Sequence, residues 1–399
     1  MIKQTRGAIK FLLADYRAVL KYAMMAAAGI ALSSPSYATY TTVSDQKGEL
    51  YSSAKAFNDS INIISRLKLE NGEYSADSVC VTPYLDTVQY PDFVPELALD
   101  GATLTTSSAG KDSTGKYIDT VFVQGKLSLT NATINPIENG EKAGIQLWGE
   151  RADAAFSGDV NINGDLYIGT RENAGALDIV LDGKDADGEI DGLNLNITGE
   201  IGIDGASLTL KGYDKADNGL DRNTSTNVTA KEVVLENNGQ LTVGHNASLE
   251  IKGLYMDTNP SDLVQKGAVT VTDGGKLAIT GDGYHGSTED DYVAVGIFSA
   301  DKDGDNDLTV QKLPGIIKAT NNSSIEISHK DAVLYEPFEA KDDGEDGTHI
   351  DYIPDQAFDI DNSSTLTISD LGSMTKAEVK ALKEKLLYNG TGTLDGYTW

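Results

Sequence analysis

Four aspartates alternate through "DKDGDND": Asp301, Asp303, Asp305 and Asp307. The first three match the 1, 3, 5 ligand spacing of a calcium loop, which needs six to eight hard oxygen donors around the ion. Two positions depart from an EF-hand: Gly304 stands where that loop has its fourth residue rather than its sixth, and Lys312 replaces the closing bidentate glutamate. Calcium is thus the one candidate cofactor, held weakly by Asp301, Asp303, Asp305 and Asp307 as in extracellular modules. The competing reading is a solvated insertion loop. Two further stretches, "LDGKDADGEIDG" around Asp185, Asp187 and Asp191 and "AKDDGEDGTHID" around Asp342, Asp343 and Asp346, have similar composition and no shared spacing.

Other chemistry is sparse. The four histidines, His245, His285, His329 and His349, lie far apart, and no two have metal-ligand spacing. Cys80, the single cysteine, sits in "DSVCVTPY" without a basic neighbour to lower its pKa, and it excludes an internal disulfide. Neither a Gly-Asp-Ser-Gly loop nor a Gly-x-Ser-x-Gly elbow occurs, so no nucleophilic serine is indicated. Clustered carboxylates could cleave polysaccharides, but acidic residues are too abundant for clustering to be informative, and Arg222 is the only arginine after Arg171. Tyr284, Tyr292, Tyr335 and Tyr352 read as loop packing, with a sugar-binding face as the alternative. The expectation is a protein that is not an enzyme.

The elements that must carry these loops are short and repeated. In "VVLENNGQLTVGHNASLEIKG" apolar pairs two residues apart recur every eight residues: Val233 and Leu235, Leu241 and Val243, Leu249 and Ile251. The same unit appears at Val269/Val271 with Leu277/Ile279, at Ile317/Ala319 with Ile325/Ile327, and at Phe358/Ile360 with Leu366/Ile368. Alternation at period two buries one face of each strand, and the turns between, Asn237–Gly239, Asp273–Gly275, Asn321–Ser323 and Asn362–Ser364, suit left-handed or tightly bent backbone. Strands this short must stack on neighbours. An antiparallel sandwich would need glycine-containing two-residue turns, which Asn322-Ser323 and Ser363-Ser364 lack. A parallel β-helix accommodates every unit. The predicted fold is therefore all-β, a right-handed parallel β-helix (β-solenoid) with acidic insertion loops and a short C-terminal α-helix, forming a rod on the order of 60 Å.

The N-terminus decides the compartment. Lys3, Arg6, Lys10, Arg17 and Lys21 precede an apolar run, Tyr22 to Leu32, and Ser36-Tyr37-Ala38 offers a cleavage site. The run is shorter than the roughly 20 residues of a membrane span. Residues 1–38 are read as an extended signal peptide. Its removal leaves 32 − 5 = 27 basic and 61 − 1 = 60 acidic residues, a net charge of −33. That surface repels phosphate backbones and anionic headgroups, which disfavours nucleic acid as a partner and provides no basic membrane-binding patch. Asn-x-Ser/Thr triplets such as Asn131-Ala132-Thr133 are attributed to corner chemistry rather than glycosylation.

The long signal, the near absence of cysteine, the acidity and the coils of apolar-Thr-apolar strands between Asn/Gly/Ser turns resemble the passenger region of bacterial autotransporters, across the signal and about 101–372. That resemblance implies export through the periplasm to the cell surface or medium of a Gram-negative bacterium, and an outer-membrane barrel. No barrel pattern is seen in this chain, since the tail lacks strands of about ten alternating residues. Residues 39–100 are expected to form an N-terminal cap, 101–372 the β-helix with inserts at 183–191, 213–227, 282–307 and 337–355, and 373–399 a helix and tail. In that helix Thr375 and Glu378 make a capping box and Val379, Leu382, Leu386 and Leu387 share one face. The expected function is a secreted or surface-displayed structural or adhesion protein whose loops recognise a host-cell, matrix or glycan ligand. The alternatives are a β-helix polysaccharide-degrading enzyme and a calcium-dependent surface-layer or matrix component.

Overall fold

The computed structural model describes residues 41–44, 48–49, 60–63, 66–76, 78–81, 94–106, 110–111, 117–118, 121–136, 144–169, 177–219, 222–257, 268–280, 295–298, 315–328, 356–368, 375–388 and 393–395. They lie in one compact unit, Tyr40–Trp399. The chain is mostly β, in long parallel sheets consistent with a β-solenoid. Each coil has three sides. Within one coil, Arg66–Glu70 lies on a first face, Glu73–Ala76 on a second and Ser78–Val81 on a third, and each pairs in parallel with the strand one coil further on.

The second face runs without a break in pairing from Gly48–Glu49 through Leu193–Ile197 and Ser324–Ile327 to Thr393–Asp395. The third runs from Ser60–Ile63 to Val295–Phe298. The first face comprises two ladders, one from Thr41–Ser44 to Ser157 and one from Leu177–Leu181 to Phe358–Ile360. The eight-residue period in the sequence is the step from one face to the next: Leu235, Leu241 and Ile251 lie on the third, first and second faces, and all are buried.

Coil length varies while register holds. Thr226 pairs with Ala247 across a short coil, whereas Lys276 pairs with Ser324 across one more than twice as long. Inward residues form one continuous apolar core, with Leu97, Leu127, Ile145, Ile203 and Leu254 at 0 % exposure. Strands also lie in the segment expected as a cap, where Arg66–Glu70 and Ser78–Val81 join the first and third faces. Likewise the stretch 282–307, read as one insert, contains the third-face strand Val295–Phe298.

Corners follow backbone chemistry. Between the first and second faces Asn71, Gly101, Asn131, Gly158 and Gly192 succeed one another at positive φ, a conformation that favours Gly and Asn over residues with larger side chains. The side chains interlock: a Cβ on Gly158 would lie 2.2 Å from Asn131 Oδ1, and that oxygen accepts the Asp159 N–H at 3.0 Å. Further along the stack, the same corner becomes a ladder in which Asn321 Nδ2 donates to Asp273 Oδ1 at 2.9 Å and Asn321 N–H donates to Asp361 Oδ2 at 2.8 Å.

The helix Lys376–Leu386 carries the predicted capping box: Thr375 N–H donates to Glu378 Oε2 at 2.7 Å and Glu378 N–H to Thr375 Oγ1 at 3.4 Å. Val379, Leu382 and Leu386 are buried. The ladder resumes beyond it. Leu387 bridges in parallel to Phe358, and Thr393–Asp395 pairs with Thr365–Ile368. No helix among the described residues is long and apolar enough to cross a membrane.

Candidate functional site

The calcium candidates Asp301, Asp303, Asp305 and Asp307 lie outside the described residues, as do His285, His329, His349, the four loop tyrosines and the stretch 337–355. Among the described residues, no group of three or more His, Cys, Asp or Glu side chains is placed to hold a metal ion. The acidic loop at 183–191 uses Asp185 on its own backbone, Oδ1 accepting the N–H groups of Asp187 and Glu189 at 2.9 Å each. Cys80 faces outward on the third face, and burial pushes its thiol up to about 11, the opposite of an activated nucleophile.

The third face has the most distinctive outer surface. Register places Cys80, Phe122, Gln146, Tyr167, Gly202, Val234 and Tyr255 in one outward column, and Trp148, Gly169, Asp204 and Glu236 in the column beside it. Inward neighbours such as Leu166, Ile168, Ile201 and Ile203 fill the core, so alternation fixes which residues point out. Phe122, Trp148 and Tyr167 are half-buried. Further along, Val234 and Tyr255 are 9 % and 0 % exposed despite their outward positions, so the accessible part of the strip ends near Tyr167.

Two glycines shape that part. A Cβ on Gly169 would lie 2.6 Å from Trp148 Cζ3, and one on Gly202 would lie 2.6 Å from Tyr167 Cδ2. Each aromatic ring therefore covers the glycine of the next coil, shielding backbone that no side chain protects. The rings are near-parallel neighbours, with centroids 6.3 Å apart and planes inclined by 22°. The Tyr167 hydroxyl donates to Asp204 Oδ2 at 2.8 Å and lies 3.5 Å from Glu236 Oε2. Burial, reinforced by these two carboxylates, raises the phenol pKa, so the hydroxyl stays a donor. The other Asp204 oxygen accepts Asn237 Nδ2 at 2.6 Å. On the opposite side of the aromatic column Glu200 N–H donates to Asp165 Oδ1 at 2.8 Å, placing a second acidic edge there.

A second polar group lies where the insert 213–227 meets the coil. Tyr213 Oη donates to Asp182 Oδ2, and Lys184 Nζ bonds that oxygen at 2.9 Å and the Tyr213 hydroxyl at 2.6 Å, 4.8 Å from the ring centroid. Beside it, His245 Nε2 lies 2.9 Å from Asp214 Oδ2 and Nδ1 lies 3.2 Å from the Asp273 carbonyl. The Asp214 carboxylate raises the His245 pKa, and His245, followed by Asn246, lowers that of Asp214. Every partner here belongs to the coil or its insert, so this group ties the loop down.

Trp148, Tyr167, Asp204 and Glu236 carry no mark of a site in the sequence. Each is only the middle or last residue of an ordinary strand triplet, "QLW", "LYI", "GID" or "VLE", and their spacing is irregular: the chain from Gln146 to Tyr167 is much shorter than that from Tyr167 to Gly202, although each interval is one coil. No family model, curated protein sequence or solved structure matches the chain.

Proposed function

We propose that this chain is a secreted or surface-displayed scaffold of the autotransporter-passenger kind, a right-handed parallel β-helix whose outer face and inserts recognise a host-cell or matrix ligand. The observation that supports it most is constant register across coils of very unequal length, such as Thr226 to Ala247 and Lys276 to Ser324, which lets inserts vary without disturbing the core. Export of residues 39–399 after removal of 1–38, and barrel-assisted passage of the outer membrane, belong to the same proposal. Protease shaving of intact source cells tests it: fragments of 39–399 should be released from the surface. An untouched protein, with no barrel-coding frame in or beside the gene, would sink the surface reading.

One observation favours a polysaccharide-degrading enzyme as the second reading: Asp204 and Glu236 both lie within reach of one hydroxyl, that of Tyr167. Such an enzyme would release new reducing ends from a polysaccharide, and Asp204→Asn would stop it. A purified chain that releases none fits the scaffold.

A further inference from the structure

The geometry points to a neutral polysaccharide as the ligand of the Trp148–Tyr167 strip, its chain running along the direction in which the coils stack. This rests on the recognition reading above and narrows its ligand. Three features of the strip select that chemistry. First, Trp148 and Tyr167 each rest one part of the ring on the glycine ahead and lie nearly parallel to one another. A π face is electron-rich and attracts the weakly positive C–H groups that line one side of a sugar ring, with little loss of side-chain freedom because the rings are already held.

Second, the groups beside the rings are acceptors. Asp204 and Glu236 continue the Trp148 column on one side of Tyr167, and Asp165 and Glu200 lie on its other side. Ionised carboxylates accept hydrogen bonds and donate none, so the matching ligand is rich in donors, as a polyol is. Asp204 is held by two neutral donors, the Tyr167 hydroxyl and Asn237 Nδ2, which fix its orientation without neutralising it. A phosphorylated, sulfated or uronate-rich chain would meet these acids and a whole-chain charge of −29, and would be repelled. An apolar peptide would strip water from the carboxylates and return no hydrogen bonds.

Third, the rings and the acceptors follow one another along the stack: Trp148 and Tyr167 lie on successive coils, and Asp204 and Glu236 on the two coils after Tyr167. Stacked strands advance about 4.8 Å per coil, so a linear polymer along that direction meets both rings and then both acceptors. A ligand lying across one coil would meet a single ring or a single coil's acids.

The sequence contains two tryptophans, Trp148 and Trp399, so Trp399→Phe leaves Trp148 as the sole indole reporter. The purified chain carrying that change is titrated with fragments of β-glucan, xylan and galactomannan, with polygalacturonate and poly-lysine as charged controls. The expected result is a saturable change in Trp148 emission with at least one neutral polysaccharide, indifferent to added salt. Trp148→Ala, followed by calorimetry with the same ligand, should weaken binding about tenfold or more. Tyr167→Phe and Glu236→Gln keep the apolar surface and should weaken it several-fold. They carry the test if the alanine variant fails to fold. No response to any neutral polysaccharide, or a salt-sensitive response to poly-lysine or polygalacturonate alone, overturns the assignment. Because the measurement uses purified protein, it can succeed while surface shaving fails, or fail while shaving succeeds.

Discussion

Replacing Gly158 by alanine probes how the corner column is locked. The new Cβ would sit at φ +67° and 2.2 Å from Asn131 Oδ1. Left-handed backbone costs an L-residue about 1–2 kcal/mol. Moving the Asn131 amide out of the way also breaks its 3.0 Å bond to the Asp159 N–H, worth about 1 kcal/mol. Gly158→Ala should thus destabilise the chain by about 2–3 kcal/mol. Asn131→Gly removes the obstructing amide while tolerating φ +47°, and should cost about 1 kcal/mol for the lost bond. With both changes, the alanine meets no amide and should add only its backbone term of about 1–2 kcal/mol. The coupling between the sites is then about 1 kcal/mol. Urea unfolding of the wild type, both single variants and the double variant, followed by far-UV circular dichroism, measures it, provided the four slopes agree. If the free energies add to within about 0.3 kcal/mol, interlocking with Asn131 is not what requires glycine at this corner.

Three further outcomes follow from charges and loops. The His245 contribution should be complete below the ordinary histidine value of about 6.5 and lost as pH rises through its raised folded value, while that of Asp214 is present above about 3.9 and lost as pH falls through its lowered one. An NMR titration should therefore place His245 above 6.5, and Asp214→Asn should bring it back, with an unmoved midpoint ruling out the pairing. Burial works against ionisation of Asp361, yet the Asn321 N–H and the Ser364 and Ser363 hydroxyls hold it down to about 2, so its contribution is present above about 3.9 and fades as pH falls through 2. Asp361→Ala should cost about 1–3 kcal/mol and speed hydrogen exchange at the Asn321 and Ser363 amides, which donate to it at 2.8 and 2.9 Å. Chelation should leave the urea midpoint unchanged if the segment Asp301–Asp307 is a solvated insert. A drop reversed by added calcium would make those aspartates a metal site instead.

What could be read from sequence was local. Alternation at Val269/Val271 or Leu366/Ile368 names both strand and buried face, and Asn321-Asn322 announces left-handed backbone, observed at φ +57° and +63°. Thr375 and Glu378 are close neighbours in the chain, so their capping box needs no knowledge of the rest of the fold. The strip needed inter-coil register. Nothing in "DLYIG" states that Tyr167 will cover Gly202, because the inserts make the interval between successive coils unequal. The strand Asp153–Ile162 turns a corner at the left-handed Gly158 with ladder pairing on both sides of it, so it spans two faces that periodicity alone merges into one. The strands at 66–81 alternate as well, but their inward pairs Leu67/Leu69, Tyr74/Ala76 and Val79/Val81 do not keep the eight-residue spacing that marks the later coils.

In chain order the helix Lys376–Leu386 takes the place where earlier coils have a third-face strand, between Thr365–Ile368 and the Leu387 bridge to Phe358, and the next strand still finds its register. The chain here returns from the second face to the first through a helix instead of a third strand. That makes the segment between Ile368 and Leu387 a natural graft position: an epitope, reporter domain or affinity tag with closely spaced ends should replace the helix if it covers the apolar surface now met by Val379, Leu382 and Leu386.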